Sequence, residues 1–184
     1  NKTVLVLGGW GLVGNSVIRK MMPEKPAKII VTSLKKEEAM DAVAHLKKEY
    51  PGMPPKYFVP WWGNVLLRNE FKEKSREEIL NNPVWRRRMM EDTLEELSPE
   101  ILESSSLYSL IATYKPDVII DCINTATGIA YQDIYTIYKT LKNKMGNGMS
   151  NADLTSEIEK LLCTMYLPQL IRHIQILYNA MAKA

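Results

Sequence analysis

Thr3-Val4-Leu5-Val6-Leu7-Gly8-Gly9-Trp10-Gly11-Leu12-Val13-Gly14 is the stretch on which the reading of the whole chain turns. Its first five residues have the apolar, β-branched character of a buried strand, and they run directly into a turn carrying four glycines. Beyond the turn, Val17, Ile18 and Met21 recur at helical spacing. Strand, glycine-rich turn and helix in that order are the setting in which such a turn cradles the phosphates of a dinucleotide. One glycine allows the sharp bend, often at positive φ. The next omits the Cβ that would hold a pyrophosphate off the backbone N–H groups, and the last lets the helix lie close to the strand. The helix N-terminus then presents unpaired N–H groups and a partial positive charge. On this reading Gly8, Gly9, Trp10, Gly11, Leu12, Val13 and Gly14 form a cofactor-binding loop.

Pro23 and Pro26 end the helical pattern, and Lys28–Ser33 reads as a second strand. Strand, helix and strand within about 30 residues make a βαβ unit with a right-handed crossover, and therefore a parallel sheet. The end of the second strand is where a carboxylate would grip the adenine ribose of NAD. Here stand Thr32, Ser33, Leu34, Lys35 and Lys36, with Glu37 and Glu38 only beyond. Hydroxyl and ammonium donors suit a 2′-phosphate, so Ser33 and Lys35 join the cofactor site and NADP is expected in preference to NAD. The alternative, in which the lysines merely begin a solvated helix, keeps NAD open. Residues 36–49 read as an amphipathic helix carrying Ala39, Val43 and Leu46 on one face. His45 within it has no partner in the pattern for metal binding or catalysis. Tyr57–Trp62 reads as the third strand, its two tryptophans expected in the core rather than over an adenine, followed by Gly63-Asn64-Val65.

A long crossover then runs from Arg68 to Tyr114 with three helix-start signals: Ser75-Arg76-Glu77-Glu78 as a capping box, then Asn82-Pro83 and Ser98-Pro99. Three short helices are expected where a minimal fold needs one. Arg86-Arg87-Arg88 reads as a solvated helix face, and the insertion as a place for specific contacts or homo-oligomer formation. The apolar run within Pro116–Asn124 reads as a fourth strand of a parallel sheet, covered on both faces. Ligands of open α/β sheets bind at the carboxyl ends of such strands. Residues 143–151 read as a loop by composition. In the helical stretch that follows, Leu154, Ile158, Leu161 and Met165 form one expected core stripe, and Leu170, Ile174, Leu177 and Met181 the next. Pro168 marks a kink or a new start. His173 sits off that stripe and is assigned no chemistry.

Two glycine spacings overlap in the opening turn. Gly9, Gly11 and Gly14 fit G-x-G-x-x-G, while Gly8, Gly11 and Gly14 fit G-x-x-G-x-x-G. The second resembles the signature of the extended short-chain dehydrogenase/reductase superfamily, which includes NAD-dependent epimerases and dehydratases. Leu7 stands where that superfamily usually has Thr. The resemblance covers residues 3–65 and 117–184 and leaves the crossover unmatched. It implies NAD(P) binding on a Rossmann-type fold and hydride transfer at a hydroxyl or carbonyl carbon of a small-molecule substrate. It also implies that Asn64 and Val65 lie near the adenine, Asn64 replacing the usual Asp. Ile123, Asn124, Thr125 and Ala126 would line the nicotinamide ribose.

The superfamily's catalytic Tyr-x-x-x-Lys has one match, Tyr135 and Lys139. At i, i+4 the two share a helix face, and an ammonium there lowers the phenol pKa for proton exchange. The pair follows the fourth strand too closely, ahead of the expected long helices, so it is read as coincidence. The catalytic pair is expected beyond Ala184. The chain starts at Asn1 and ends in helical pattern, as expected for the cofactor-binding part of a longer protein.

The expected fold is therefore α/β: a truncated Rossmann-type parallel sheet in order 3-2-1-4, flanked by helices, with the helical insertion between strands 3 and 4. The 184 residues suit one such domain. A net charge of +3 gives no argument for nucleic acid or an anionic membrane. Two cysteines, Cys122 and Cys163, suit reduced thiols in a cytoplasmic protein, and no metal-ligand spacing is present. A non-catalytic dinucleotide sensor on the same fold remains the alternative to an enzyme.

Overall fold

The computed structural model describes residues 2–123, 134–146 and 150–183. The expected ribose-lining residues Asn124, Thr125 and Ala126 lie outside the described residues. Four strands, β1 (Thr3–Leu7), β2 (Lys28–Ser33), β3 (Phe58–Trp62) and β4 (Val118–Asp121), form one parallel sheet in the order β3-β2-β1-β4. This is the expected Rossmann-type order. Thr3 pairs with Lys28, Ile29 with Phe58, and Val4 with Val118.

Side-chain alternation along β1 explains the two covered faces. Val4 and Val6 point to one side, where α1 (Leu12–Met21) and α2 (Lys36–Glu49) pack with Ile18, Val43 and Leu46. Leu5 and Leu7 point to the other, against Leu107, Leu110 and Ile111 of α6 (Ser106–Tyr114) and Ile176 and Ala180 of α9 (Tyr166–Lys183). β4 departs from expectation. It pairs only with β1 among the described residues, and Val118 is 41% exposed. Its apolar run is that of a central strand, set at an edge.

The crossover holds α3 (Arg76–Asn81), α4 (Pro83–Leu94), α5 (Pro99–Ser104) and α6, one helix more than its three start signals predict. Each begins with a side-chain cap. Ser75 and Glu78 form the capping box, and Asn82 Oδ1 accepts from the Val84 and Trp85 N–H groups. Ser98 caps α5, and Ser105 supplies the cap of α6 that proline punctuation could not announce. The stretch from residue 134 onward holds α7 (Ile134–Gly146), α8 (Asn151–Leu162) and α9. Helix α7 continues to Gly146, so Asn143 and Gly146 are helical rather than loop. Pro168 falls in the first turn of α9, where its missing N–H costs nothing.

Two expectations about faces are overturned here. Arg86 is not on a solvated face: it is 4% exposed, its guanidinium 2.9 Å from Glu159 Oε2 of α8, and its Nη1 donates to the Leu80 carbonyl at 2.7 Å. Arg87 and Arg88 are exposed as expected. The expected apolar stripes are turned only partly inward: Ile174 is 57% exposed and Ile158, Met165 and Met181 are exposed, while Leu154, Leu161 and Leu170 are half-buried and Leu177 packs against the core. In their place Glu157 and Glu159 of α8, and Gln169, Arg172 and His173 of α9, face inward. Polar partners fix that rotation. Glu157 takes Lys144 at 2.8 Å, Gln169 donates to the Cys163 carbonyl at 2.6 Å, and Arg172 donates to the Glu95 carbonyl. Burial pushes the thiol of Cys163, beside this seam, up to about 11.

Removing one partner of a buried ion pair strands the other charge. Arg86→Met is therefore expected to cost about 3–5 kcal/mol in urea unfolding, with buried Glu159 left only the exposed Arg87, 3.4 Å from its Oε1. The double variant Arg86→Met/Glu159→Leu should recover most of that loss. A single variant as stable as the wild type would contradict the assignment.

Candidate functional site

The loop between β1 and α1 is held by its own backbone. Gly8 has φ of 71°, and its N–H donates to Thr32 Oγ1 at 3.0 Å, tying the turn to the end of β2. The Gly11 N–H donates back to the Gly8 carbonyl at 3.0 Å, and the Asn15 N–H to the Gly11 carbonyl at 2.9 Å. A Cβ on Gly14 would run into the Gly8 carbonyl oxygen and come within 2.8 Å of Gly9 Cα. A Cβ on Gly9 would stand 2.7 Å from a Val31 methyl. These two glycines serve packing, whereas Gly11 is exposed at the start of α1.

The start of α1 differs from that of the crossover helices. Gly11 offers no side-chain cap, and no acidic residue stands in the first turn. The backbone donors of this first turn, at Leu12, Val13 and Gly14, precede the first helical bond, which Asn15 makes to Gly11. Leu12 and Val13, the first two of these, line a crevice of about 470 Å³ at the carboxyl ends of the strands. Gly8, Gly11, Leu12 and Val13 form one wall of it. Thr32, Ser33 and Leu34 close the end of β2, Gly63 to Leu66 the end of β3, and Cys122 and Ile123 the end of β4.

Of the expected cofactor residues, Gly8, Gly11, Leu12, Val13, Ser33, Asn64, Val65 and Ile123 thus meet in one crevice. Gly9 and Gly14 lie behind it. Trp10 packs against the β1–β2 core, its ring 5.7 Å from that of His45. Lys35 lines a neighbouring hollow with Asn64 and Leu66. Asn64 holds its loop: its Oδ1 accepts from the Leu66 N–H at 3.0 Å, and its own N–H donates to the Lys72 carbonyl at 2.7 Å. Trp61 packs into the core under α6 and α9, and the Trp62 ring lies between Lys36 and Lys72 at 5.1 and 5.9 Å. Tyr135 and Lys139 both fall on α7, where Lys139 is exposed. The Tyr135 side chain lies outside the described residues.

Three features of the site were absent from the sequence reading. Thr32 anchors the glycine turn. Glu38 folds back so that Ser33 Oγ donates to its Oε2 at 2.6 Å, bringing a carboxylate to the end of β2. At the end of β4, Asp121 accepts from the Ile123 N–H at 2.9 Å, and its Oδ2 lies 2.8 Å from His173 Nε2. Burial pushes the Asp121 carboxyl up, but the bonds from His173 and Ile123 outweigh it and leave the group below its ordinary range. The thiol of neighbouring Cys122 is raised, by burial and then by the Asp121 charge. Glu38 at five residues from Ser33 fits no local turn rule. His173 is separated from Asp121 by several elements, so no spacing could have joined them.

Comparison with known protein families, with curated proteins and with solved structures returns no match. Among the described residues no group of three or more His, Cys, Asp and Glu could hold a metal ion, and no helix is long and apolar enough to cross a membrane.

The two kinds of glycine should separate by experiment. Gly14→Ala forces backbone against backbone and is expected to lose several kcal/mol, on the order of an overpacked core site or more. Gly11→Ala, at an exposed position with extended φ of −61° and ψ of 161°, should fall within about 1 kcal/mol of wild type. Thermal unfolding of the two variants side by side checks this. Equal losses would mean that the turn is not packed as described.

Proposed function

We propose that this chain is an NAD(P)-binding domain of the kind found in the extended short-chain dehydrogenase/reductase superfamily, serving hydride transfer at a hydroxyl or carbonyl carbon. The carrying observation is where the crevice lies. In the order β3-β2-β1-β4 the chain leaves β1 to one side and returns to the other, so β1 and β4 flank the switch point of the sheet. Open α/β sheets bind ligands there, outside the carboxyl ends of the strands. The uncapped N-terminus of α1 faces the same space, and its N–H groups and helix dipole suit a pyrophosphate. Asn64 and Val65 on one side and Ile123 on the other leave room for a ligand that spans the sheet ends.

In this reading the chain's own residues bind and orient. The N–H groups of Leu12 and Val13 hold the phosphates. Gly11 lets the phosphates approach, and Leu12 and Val13 shield them from water with exposed apolar side chains. A bound nicotinamide would supply the hydride acceptor or donor. At the adenosine end, Ser33 is held by Glu38, so a 2′-phosphate meets that carboxylate as well as the ammonium groups of Lys35 and Lys36. Those opposing charges set the choice between NAD and NADP.

Calorimetric titration of NADH and NADPH tests this. Gly11→Val should weaken both by at least about tenfold while the melting temperature holds, because a branched side chain displaces the phosphates without touching the core. Glu38→Gln should raise affinity for NADPH relative to NADH by about tenfold, by removing a negative charge beside Ser33. Failure of the wild type to bind either cofactor would end the proposal.

A further inference from the structure

Helix α9 turns Gln169, Arg172, His173, Ile176 and Ala180 toward the interior. Its outer face is as regular as its inner one. Leu167, Ile171, Ile174, Tyr178 and Met181 follow one another at steps of four, three, four and three residues, and each is between 49% and 69% exposed. Alternating steps of three and four are the pattern by which one helix packs along another, knobs of each entering holes of the other. Half-buried Leu170 and Leu177 flank this line on one side, and Pro168, Gln175 and Ala182 flank it on the other. Charges at such flanking positions usually select a partner helix and its direction. Here all five are uncharged.

A face of this kind restricts what can cover it. Its side chains present on the order of 500 Å² of apolar surface, at the upper end of what a monomer leaves open. A helix that lies on a membrane carries lysines and arginines toward the headgroups. The outer half of α9 has no cation before Lys183, whose ammonium is 3.2 Å from Glu103. A partner with a charge at the centre of its contact would bury that charge against apolar side chains with nothing to pair it. A second such face, free of charge along its whole length, meets no such cost. At the end of the stripe, Met181 shares a hollow with Lys115 and Asp117, charges of both signs at the place of a polar rim.

We propose that this face of α9 is a two-fold contact between two copies of the chain. An axis through Ile174, the middle residue of the five, runs the two helices antiparallel. It brings Leu167 of one copy to Met181 of the other, and Ile171 beside Tyr178. This placement covers all five side chains on both copies and opposes the two helix dipoles. The stripes alone then bury about 1,000 Å² in all, near the lower bound for a specific pair, so the dimer is weak, dissociating in the micromolar range. None of the five residues lines the crevice, so the contact stands or falls independently of dinucleotide binding.

Sedimentation equilibrium of the full chain should show monomer and dimer in exchange, with a Kd on the order of 10 μM. Ile174→Glu sets two carboxylates against each other at the axis. It is expected to weaken the dimer at least about tenfold while dilute protein keeps its melting temperature, because the position is exposed. Mild oxidation should link Ile174→Cys into a covalent dimer, beyond the level that Cys122 and Cys163 give in the wild type. Leu167→Cys should not link, since its two copies stand about 20 Å apart along the paired helices. A chain that stays monomeric at about 1 mM, whether or not it floats with phosphatidylcholine vesicles, overturns the proposal. So does a dimer that Ile174→Glu leaves intact, or one that Leu167→Cys links in preference to Ile174→Cys.

Discussion

The close approach of the first helix to the first strand is the constraint on which the rest of this structure depends. Gly14 sits against the backbone of Gly8 and Gly9 with no room for a single added carbon. That contact lets α1 start directly beneath the end of β1, so that its uncapped first turn places Leu12 and Val13 at the crevice. Thr32 completes the arrangement by taking the Gly8 N–H. The turn is thus braced from β2, the strand whose end also carries Ser33 and Glu38. A packing requirement inside the sheet and an open set of donors outside it are two consequences of the same short turn.

The second face of the sheet is built differently. Its covering helices bring polar groups inward, and those groups are paired across long stretches of sequence: Arg86 with Glu159, Asp121 with His173, Glu157 with Lys144. Pairs of this kind, of which Arg86–Glu159 is buried on both sides, contribute little net stability, yet they penalise any packing that separates them. They fix the rotation of α8 and α9. The long crossover is accordingly part of the body of the domain, since α4 receives α8 through Arg86 and α6 packs directly on β1.

Much of this was legible because the determining forces are local. The βαβ unit, the residue range of α2 and the caps at Ser75, Asn82 and Ser98 all follow from periodicity and from short-range hydrogen bonding. The four-strand order follows from parallel crossovers. What escaped depends on distant partners. Three consecutive arginines look solvated until Glu159, 73 residues on, takes the first of them inside. The stripe of Leu170, Ile174, Leu177 and Met181 is the more apolar face of its helix. It keeps Leu177 against the core but gives up Ile174 and Met181 to solvent, because Gln169, Arg172 and His173 each reach a carbonyl or carboxylate of the fold. At the site, the glycine turn read from the sequence supplies one wall of the crevice, while the Ser33–Glu38 and Asp121–His173 contacts arise only when separate elements meet.

The central claim is that the crevice at the β1–β4 switch point is a dinucleotide site built around the first glycine turn. Amide chemical-shift mapping of the ¹⁵N-labelled chain during titration with NADH tests it most directly. The account predicts saturable shifts centred on Gly8, Gly11, Leu12, Val13 and Gly14, extending to Ser33 and to Asn64 and Val65. α4 and α5, on the far part of the crossover, should stay still. Binding whose shifts fall elsewhere and spare the glycine turn would contradict it.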